Sequence, residues 1–351
     1  MKSQYQSAFL PAFVHTMSAS LSALADGLST TELFLNALVL WLASIGFGIL
    51  VALAVNVATA IYRAKVRKPY DLVKRYGKGW AIVTGATDGI GKAAAWQLAK
   101  RGLNVLLVSR TQSKLDEVKA ELNAKFPGVK VETLQIDFCN FDQAAQDKVA
   151  QAFTGLAEDG GVAVLVNNVG VSYDFPMYFH ELSDARVADM VKLNIDSTTY
   201  MTRIALKFMR ERKGGKRRGA IINVGSAAGS TSNPLLTQYS AAKAYVQRLT
   251  EGLAVEYGPQ GIDVQVHVPF FIVSKLSKFK KASFFVPSAE TYARMLCDRI
   301  GYEVVVNPHL PHTLLGYVIQ KLPTGPRESY TRSMHLGIRS KAQKKLGEKK
   351  E

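Results

Sequence analysis

The sequence predicts an α/β fold: a doubly wound parallel sheet behind an N-terminal transmembrane anchor helix. Three observations predict it. Short apolar runs alternate with amphipathic helical patterns from residue 79 onward, as βαβ units and a parallel sheet require. The first of these runs opens into a glycine-rich turn and then a helix, the context in which a backbone cradles phosphate. Residues 33–62 carry no charged side chain, enough helix to cross a hydrocarbon core of ~30 Å.

Composition bounds the rest. At 351 residues and 48% hydrophobic the chain can bury a large core, which excludes wholesale disorder. The formal net charge of +16 suits an anionic partner such as a nucleotide, a CoA thioester, a membrane surface or nucleic acid. The basic residues are scattered, thickening after the apolar run and near the C-terminus. Zinc-ligand spacings and RNA-recognition motifs are missing, so nucleic acid is not expected as a partner. The two cysteines, Cys139 and Cys297, allow one bridge at most and read as reduced thiols in a cytosol-facing domain.

The run over 33–62 is interrupted only by mildly polar residues such as Asn36, Ser44 and Asn56. It begins some thirty residues in, with no short apolar core and cleavage site ahead of it, so it reads as a signal anchor rather than a cleaved signal peptide. Lys2 is the one Lys or Arg before it; Arg63, Lys65, Arg67, Lys68, Lys74 and Arg75 follow it. The positive-inside rule then places residues 1–32 in a lumen and everything past the anchor in the cytosol, joined by a basic juxtamembrane linker over 63–75.

Residues 79–84 (Gly-Trp-Ala-Ile-Val-Thr) form the first expected strand, leading into Gly85-Ala-Thr87-Asp88-Gly89-Ile90-Gly91 and a helix to about Arg101. Glycines let the backbone turn tightly against a pyrophosphate, whose charge sits at the helix N-terminus. The next strand, 104–108, ends in Ser109-Arg110. An Asp or Glu there would bond a ribose 2′-OH; Arg110 instead suits a 2′-phosphate, so the expected cofactor is NADPH rather than NADH. A helix over 112–125, a strand over 129–136 ending at Asp137, a helix over 140–156 and a strand over 162–166 follow, with Asn167-Asn168-Val169-Gly170 next. Ligands bind at the C-terminal ends of such strands. Asp137 is placed to accept from the adenine amino group and Asn168 to line the nicotinamide side, or either is a plain loop cap.

A long helical pattern covers 184–212 and contains Asn194; the basic loop Lys213-Gly-Gly-Lys-Arg-Arg218 reads as solvated. A strand over 220–224 ends in Gly225-Ser226, and a helix carries Tyr239-Ser-Ala-Ala-Lys243. Tyr and Lys at i and i+4 share a helical face, and an ammonium one turn away is expected to lower the phenol pKa toward the working range. Two other Tyr-x-x-x-Lys pairs exist, Tyr70/Lys74 and Tyr317/Lys321. Only Tyr239 has a serine thirteen residues ahead of it; Val57 and Val304 hold that place for the others.

Taken together, Thr84-Gly-x-x-x-Gly-x-Gly91, Asn167-Asn-Val-Gly170, Asn194, Ser226 and Tyr239-x-x-x-Lys243 resemble the short-chain dehydrogenase/reductase family, with its Rossmann fold, over about residues 76–300. The resemblance implies a catalytic tetrad. Tyr239 would protonate a carbonyl oxygen as hydride arrives, and Ser226 would position that oxygen. Lys243 would lower the Tyr239 pKa and hold the nicotinamide ribose, and Asn194 would anchor a proton-relay water. It also implies that Val273 and Ser274 approach the nicotinamide carboxamide. Where the family usually has Pro-Gly, this chain has Pro269-Phe-Phe-Ile-Val273-Ser274, which changes the local loop shape.

The anchor, Lys68-Pro-Tyr-Asp71 and Pro269-Phe-Phe-x-Val-Ser-Lys-Leu276 look most like a membrane subgroup. It holds the very-long-chain 3-oxoacyl-CoA reductases of the endoplasmic reticulum and related 17β-hydroxysteroid dehydrogenases. The implied reaction is NADPH-dependent reduction of a 3-oxoacyl-CoA to the (R)-3-hydroxyacyl-CoA in fatty-acid elongation. The implied partners are the elongase condensing enzyme, the 3-hydroxyacyl-CoA dehydratase and the enoyl reductase; a homo-oligomer is left open. A 17-ketosteroid or other lipid ketone as substrate, or a non-catalytic NADP-binding scaffold, are the alternatives. Lys275, Lys278, Lys280 and Lys281 interleave with Phe279, Phe284 and Phe285, a loop that could sit on a membrane, line an acyl channel or act as a mobile lid. Residues 301–339 read as a C-terminal extension in which 308–322 lies on the membrane or docks on the domain. His309 and His312 read there as loop residues rather than metal ligands. The Lys-rich tail, 340–351, is expected to be disordered, with a weak match to a dilysine retrieval signal.

Overall fold

The computed structural model describes residues 29–213 and 215–347 and falls into two compact units divided between Tyr62 and Arg63. Expectations for residues 1–28, including most of the luminal segment, and for the retrieval signal lie outside the described residues.

The first unit is a helix, α1 (Thr30–Ile61), opened by a capping box in which Ser29 and Glu32 satisfy each other's backbone N–H groups. Its described apolar side chains are largely exposed, Phe47 at 69% and Leu50 at 64%, unlike those of a buried core helix. Its polar groups are satisfied within the helix, Ser44 Oγ donating to Trp41 O and Asn56 Nδ2 to Ala52 O, as a lipid environment requires. Among the described residues it is the one helix long and apolar enough to cross a membrane. It runs on into a π-helical turn, Tyr62–Val66.

The second unit is built on α2 (Leu72–Tyr76), β1 (Trp80–Thr84), α3 (Gly89–Lys100), β2 (Asn104–Ser109), α4 (Gln112–Lys125), β3 (Val131–Gln135), α5 (Gln143–Gly155) and β4 (Val162–Asn167). It continues with α6 (Asp184–Val191), α7 (Ser197–Glu211), β5 (Gly219–Val224), α8 (Thr237–Tyr257), β6 (Ile262–His267), α9 (Ala289–Cys297), β7 (Val305–Val306), α10 (Leu310–Lys321) and α11 (Thr324–Gly347). The strands form one parallel sheet in the order β3-β2-β1-β4-β5-β6-β7. Successive residues of β1 serve opposite faces. Ala81 and Val83 join the layer with Leu98, Leu107 and Tyr292; Trp80 and Ile82 join the layer with Phe153, Met201 and Ile221. Burial on both faces is why the strands read as unbroken apolar runs. The order reverses between β1 and β4, and the crevice there receives Thr84 and Asn168.

Several expectations need correction. The helix expected over 184–212 is interrupted by a π-helical turn, Lys192–Asp196. The sheet does not end near residue 300: β7 pairs Val266 with Val305 and His267 with Val306, too short a strand to show a period in the sequence. The basic 63–75 linker is fastened to the domain. Arg67 forks onto Glu303 at 2.6 and 2.7 Å, Tyr70 stacks on Tyr302 at 4.4 Å, and Arg75 reaches Asp263 at 2.9 Å. The loop before β5 is not merely solvated, since Arg217 donates to Asp263 at 2.7 Å. His312 lies inside α10 and is fully buried, so this segment docks on the domain. The tail is helical through Gly347.

Candidate active site

The turn after β1 is shaped for close backbone approach. Gly85 (φ +64°) and Gly89 (φ +52°) occupy the left-handed region that side chains resist. A Cβ on Gly91 would lie 2.3 Å from Gly85 O and 2.4 Å from Asn168 Nδ2. Asp88 caps α3 by accepting from Gly89 N at 2.8 Å and pairs with Lys275 at 2.6 Å. Partial burial opposes ionisation, yet Lys275 and the Gly89 N–H together hold the Asp88 carboxyl below the usual carboxylate range. Thr87 Oγ1 meets Ser109 Oγ at 3.1 Å, tying the turn to the end of β2, and half-buried Ile90 packs on the core. The Arg110 side chain is exposed and its guanidinium has no hydrogen-bond partner among the described residues; its carbonyl accepts from Gln135 Nε2 at 3.0 Å.

Asp137 takes the loop-cap role, accepting from Cys139 N at 3.0 Å and Asn140 Nδ2 at 3.3 Å while remaining exposed. Asn168 stitches β4 to β1: its Nδ2 donates to Thr84 O (3.1 Å) and Gly85 O (3.3 Å), and its N–H to Thr84 Oγ1 (3.0 Å). Val273 N donates to Pro287 O at 3.0 Å. Ser274 lies against the turn, where a Cβ on Gly89 would be 3.8 Å from Ser274 Cβ. A groove of about 870 Å³ runs beside this turn, bounded by Asp88, Gly89, Trp96, Ser274, Lys278 and Phe279; Tyr239 is not in its wall.

Tyr239 is the third residue of α8, and Ser226 follows β5 by two. The Ser226 hydroxyl lies near enough to the Tyr239 phenol to lower its pKa, and Ser226 Oγ accepts from Ala228 N at 3.2 Å. Lys243, buried, donates from Nζ to Val224 O at 3.0 Å. Its Nζ lies 5.8 Å from the centre of the Tyr239 ring. Burial raises the Tyr239 phenol above its ordinary value, and the Ser226 hydroxyl only partly offsets this. The expected lowering of that pKa by the ammonium is therefore corrected: burial dominates the phenol, Ser226 is the group that lowers it, and desolvation also brings Lys243 down to about 8.

Asn194 is fully buried in the π-helical turn, a feature common at functional sites. Its carboxamide clamps the backbone of Val171, donating to Val171 O at 3.0 Å and accepting from Val171 N at 3.2 Å. A Cβ on Gly170 would sit 2.7 Å from Asn194 Oδ1 and 3.3 Å from Lys243 Nζ, so the missing side chain is what lets these groups gather. The fold thus unites Asn194, Ser226, Tyr239 and Lys243 on one side and the residues 85–91 turn on the other.

Some positioning contacts escaped the sequence. Tyr173 Oη accepts from Gln238 N at 3.1 Å, fixing the start of α8. His335 Nδ1 donates to Pro234 O at 2.6 Å, and Arg339 forks onto Glu181 at 2.6 Å through both nitrogens. Helix α11 therefore ties down the loop between Ser226 and Tyr239 and the turn at Glu181. These contacts join residues about 65 to 160 apart, and no local pattern announces them.

Known proteins resemble this chain in sequence and in fold. Residues 79–283 match the short chain dehydrogenase family model. The very-long-chain 3-oxoacyl-CoA reductase of Anas platyrhynchos is 41% identical over 273 residues, covering 77% of this chain and 84% of its own. That of Homo sapiens is 37% identical over 287 residues, covering 80% and 88%. A short-chain dehydrogenase from Sphingobium yanoikuyae, solved in complex with NADPH, superposes with a TM-score of 0.56 at 25% identity, covering 70% of this chain and 97% of its own. A 7β-hydroxysteroid dehydrogenase reaches 0.64 at 23% identity over 75% of this chain and 99% of its own, a likeness of fold alone.

Proposed function

The chain belongs to the short-chain dehydrogenase family and is an oxidoreductase that uses a nicotinamide cofactor; from that premise we propose that it reduces very-long-chain 3-oxoacyl-CoA to (R)-3-hydroxyacyl-CoA with NADPH, at the endoplasmic reticulum membrane. The observation that carries the chemistry is the Ser226 hydroxyl beside the buried Tyr239 phenol, with buried Lys243 one turn on and held to Val224 O at the end of β5. The substrate class follows the names of relatives at 37–41% identity over more than three quarters of the chain.

The residues present fit the cofactor. Gly91 has no room for a side chain, Gly85 and Gly89 hold left-handed turns, and the exposed Arg110 is free to take a 2′-phosphate. Gly85 through Gly91 present backbone N–H groups at the N-terminus of α3, with Thr87, Asp88 and Ile90 shaping the turn. Asp137, Asn168, Val273 and Ser274 border the rest of the crevice. When bound, the nicotinamide supplies the hydride.

The protein supplies the proton and the setting for it. Negative charge grows on the substrate carbonyl oxygen, where Ser226 and Tyr239 are the two available hydroxyl donors. A raised phenol pKa keeps Tyr239 protonated at neutral pH, the form that a proton donor to the carbonyl oxygen must have. Lys243, near 8, is matched to restoring that proton near neutral pH, and Nζ keeps donors beyond its Val224 bond for the ribose. Asn194 holds the Val171 backbone, fixing the floor of the site, and is the residue proposed to order the relay water.

The proposed topology is single-pass, with residues 63–351 cytosolic, since the basic flank 63–75 follows α1. The elongase condensing enzyme, dehydratase and enoyl reductase are proposed as neighbours in the reaction sequence. The test is NADPH oxidation against 3-oxoacyl-CoA thioesters of graded length beside a 17-ketosteroid. Turnover with the ketosteroid alone would overturn the substrate assignment.

A further inference from the structure

We propose that the loop after β6 is a second membrane contact, inserting Phe284 and Phe285 into a lipid surface that carries anionic headgroups. The two rings sit at the tip of a tight turn: Ser283 N donates to Val286 O at 2.8 Å and Val286 N to Ser283 O at 3.2 Å. Phe284 is 74% and Phe285 55% exposed, and their rings meet edge to face at 5.1 Å. The base of the turn is fixed. Val286 is buried, Val273 N donates to Pro287 O at 3.0 Å, and the buried His312 of α10 donates from Nε2 to Phe285 O at 2.7 Å. A rigid scaffold that holds two phenylalanines in water exposes them for a partner.

The chemistry of the surroundings selects the partner. Residues 270–289 contain Lys275, Lys278, Lys280 and Lys281 and no Asp or Glu. Phe271 and Phe279, both exposed, pair at 5.1 Å within the same loop. Aromatic rings beside lysines suit a headgroup interface. Lys275 is paired with Asp88, but Lys278, Lys280 and Lys281 have no acidic partner among the described residues, so a second copy of the same patch would repel itself. The same loop carries Ser274 against the residues 85–91 turn, so lipid contact would place the entrance of the site where an acyl chain leaves the bilayer.

The inference rests on α1 being a membrane anchor, and the experiment separates the two. The full chain, with Cys139→Ser, is reconstituted in liposomes with or without anionic phospholipid. An environment-sensitive fluorophore is placed singly on Phe284→Cys, on Leu42→Cys in α1, or on Glu117→Cys, exposed on α4. Quenching by shallow doxyl-lipid is expected to be several-fold stronger at 284 than at 117, and to weaken several-fold with Lys280→Glu/Lys281→Glu or neutral lipid. Phe284→Trp, read as the doxyl quenching it adds over that of the native Trp41, Trp80 and Trp96, repeats the measurement without a label. Quenching at 284 no greater than at 117, with 42 still quenched, overturns the membrane contact and leaves the anchor standing. No quenching at 42 overturns both. A signal at 284 that depends on protein concentration and not on doxyl-lipid shows a second copy as the occupant and overturns the proposal.

Discussion

Lys243 Nζ donates a 3.0 Å hydrogen bond to the carbonyl oxygen of Val224, which closes β5 two residues before Ser226. The buried ammonium is thus fixed to the strand that presents the serine, rather than to the phenol it shares a helix face with. Its burial also makes stability depend on pH. The folded pKa, about 8, lies below the ordinary lysine value of 10.5, so the unfolded chain binds more protons between those values and stability rises with pH across that window. Below pH 8 the full cost of burying the charge is present. Relative to Lys243→Met, the wild type should gain up to ~3 kcal/mol between pH 8 and 10.5. Urea midpoints of the two proteins at pH 7 and pH 10 check this; parallel pH dependences would contradict it.

Arg110 decides between cofactors. Charge-assisted hydrogen bonds to a phosphate contribute about 1.5–3 kcal/mol. Arg110→Ala should therefore raise KM for NADPH roughly 10- to 100-fold and leave NADH kinetics nearly unchanged. Equal losses with both cofactors would remove the 2′-phosphate assignment.

Gly91→Ala tests the cradle. A Cβ 2.3 Å from Gly85 O meets backbone, which cannot rotate away. The variant should lose about 1–3 kcal/mol of stability and bind NADPH more weakly, by calorimetry. Unchanged binding would mean that the turn is not the pyrophosphate seat.

Asp263 is a structural hub far from the chemistry, accepting from Arg75, Arg217 and Tyr76 at 2.7–3.1 Å. Asp263→Ala strands two guanidinium groups and should cost about 3 kcal/mol while leaving kcat of the folded protein close to wild type. A selective loss of kcat with unchanged stability would contradict this role.

Much of this was legible in the sequence, because the signals are local and physical. Residues 79–91 show strand, turn and helix in one stretch, and the glycines have a steric reason visible afterwards at Gly91. The spacing from Ser226 to Tyr239 separated the catalytic pair from two decoys. Tyr70, one of those decoys, instead stacks on Tyr302. What the sequence could not show depends on distant partners or on burial. Arg67, Arg75 and Arg217 read as solvated charge until Glu303 and Asp263 arrive from the far end of the chain. The pKa of Tyr239 was read from its helical neighbour, whereas desolvation, a property of the folded cavity, dominates it. His335 and Arg339 belong to a helix whose docking stripe repeats every three or four residues amid many charges, too faint to distinguish from a solvated tail.

The most direct test of the central claim is single-turnover oxidation of NADPH with a long-chain 3-oxoacyl-CoA by wild type and Tyr239→Phe. The phenylalanine keeps the ring and removes the proton. Turnover should fall by about 10²- to 10⁴-fold with NADPH affinity nearly unchanged. Turnover undiminished in Tyr239→Phe would contradict the account.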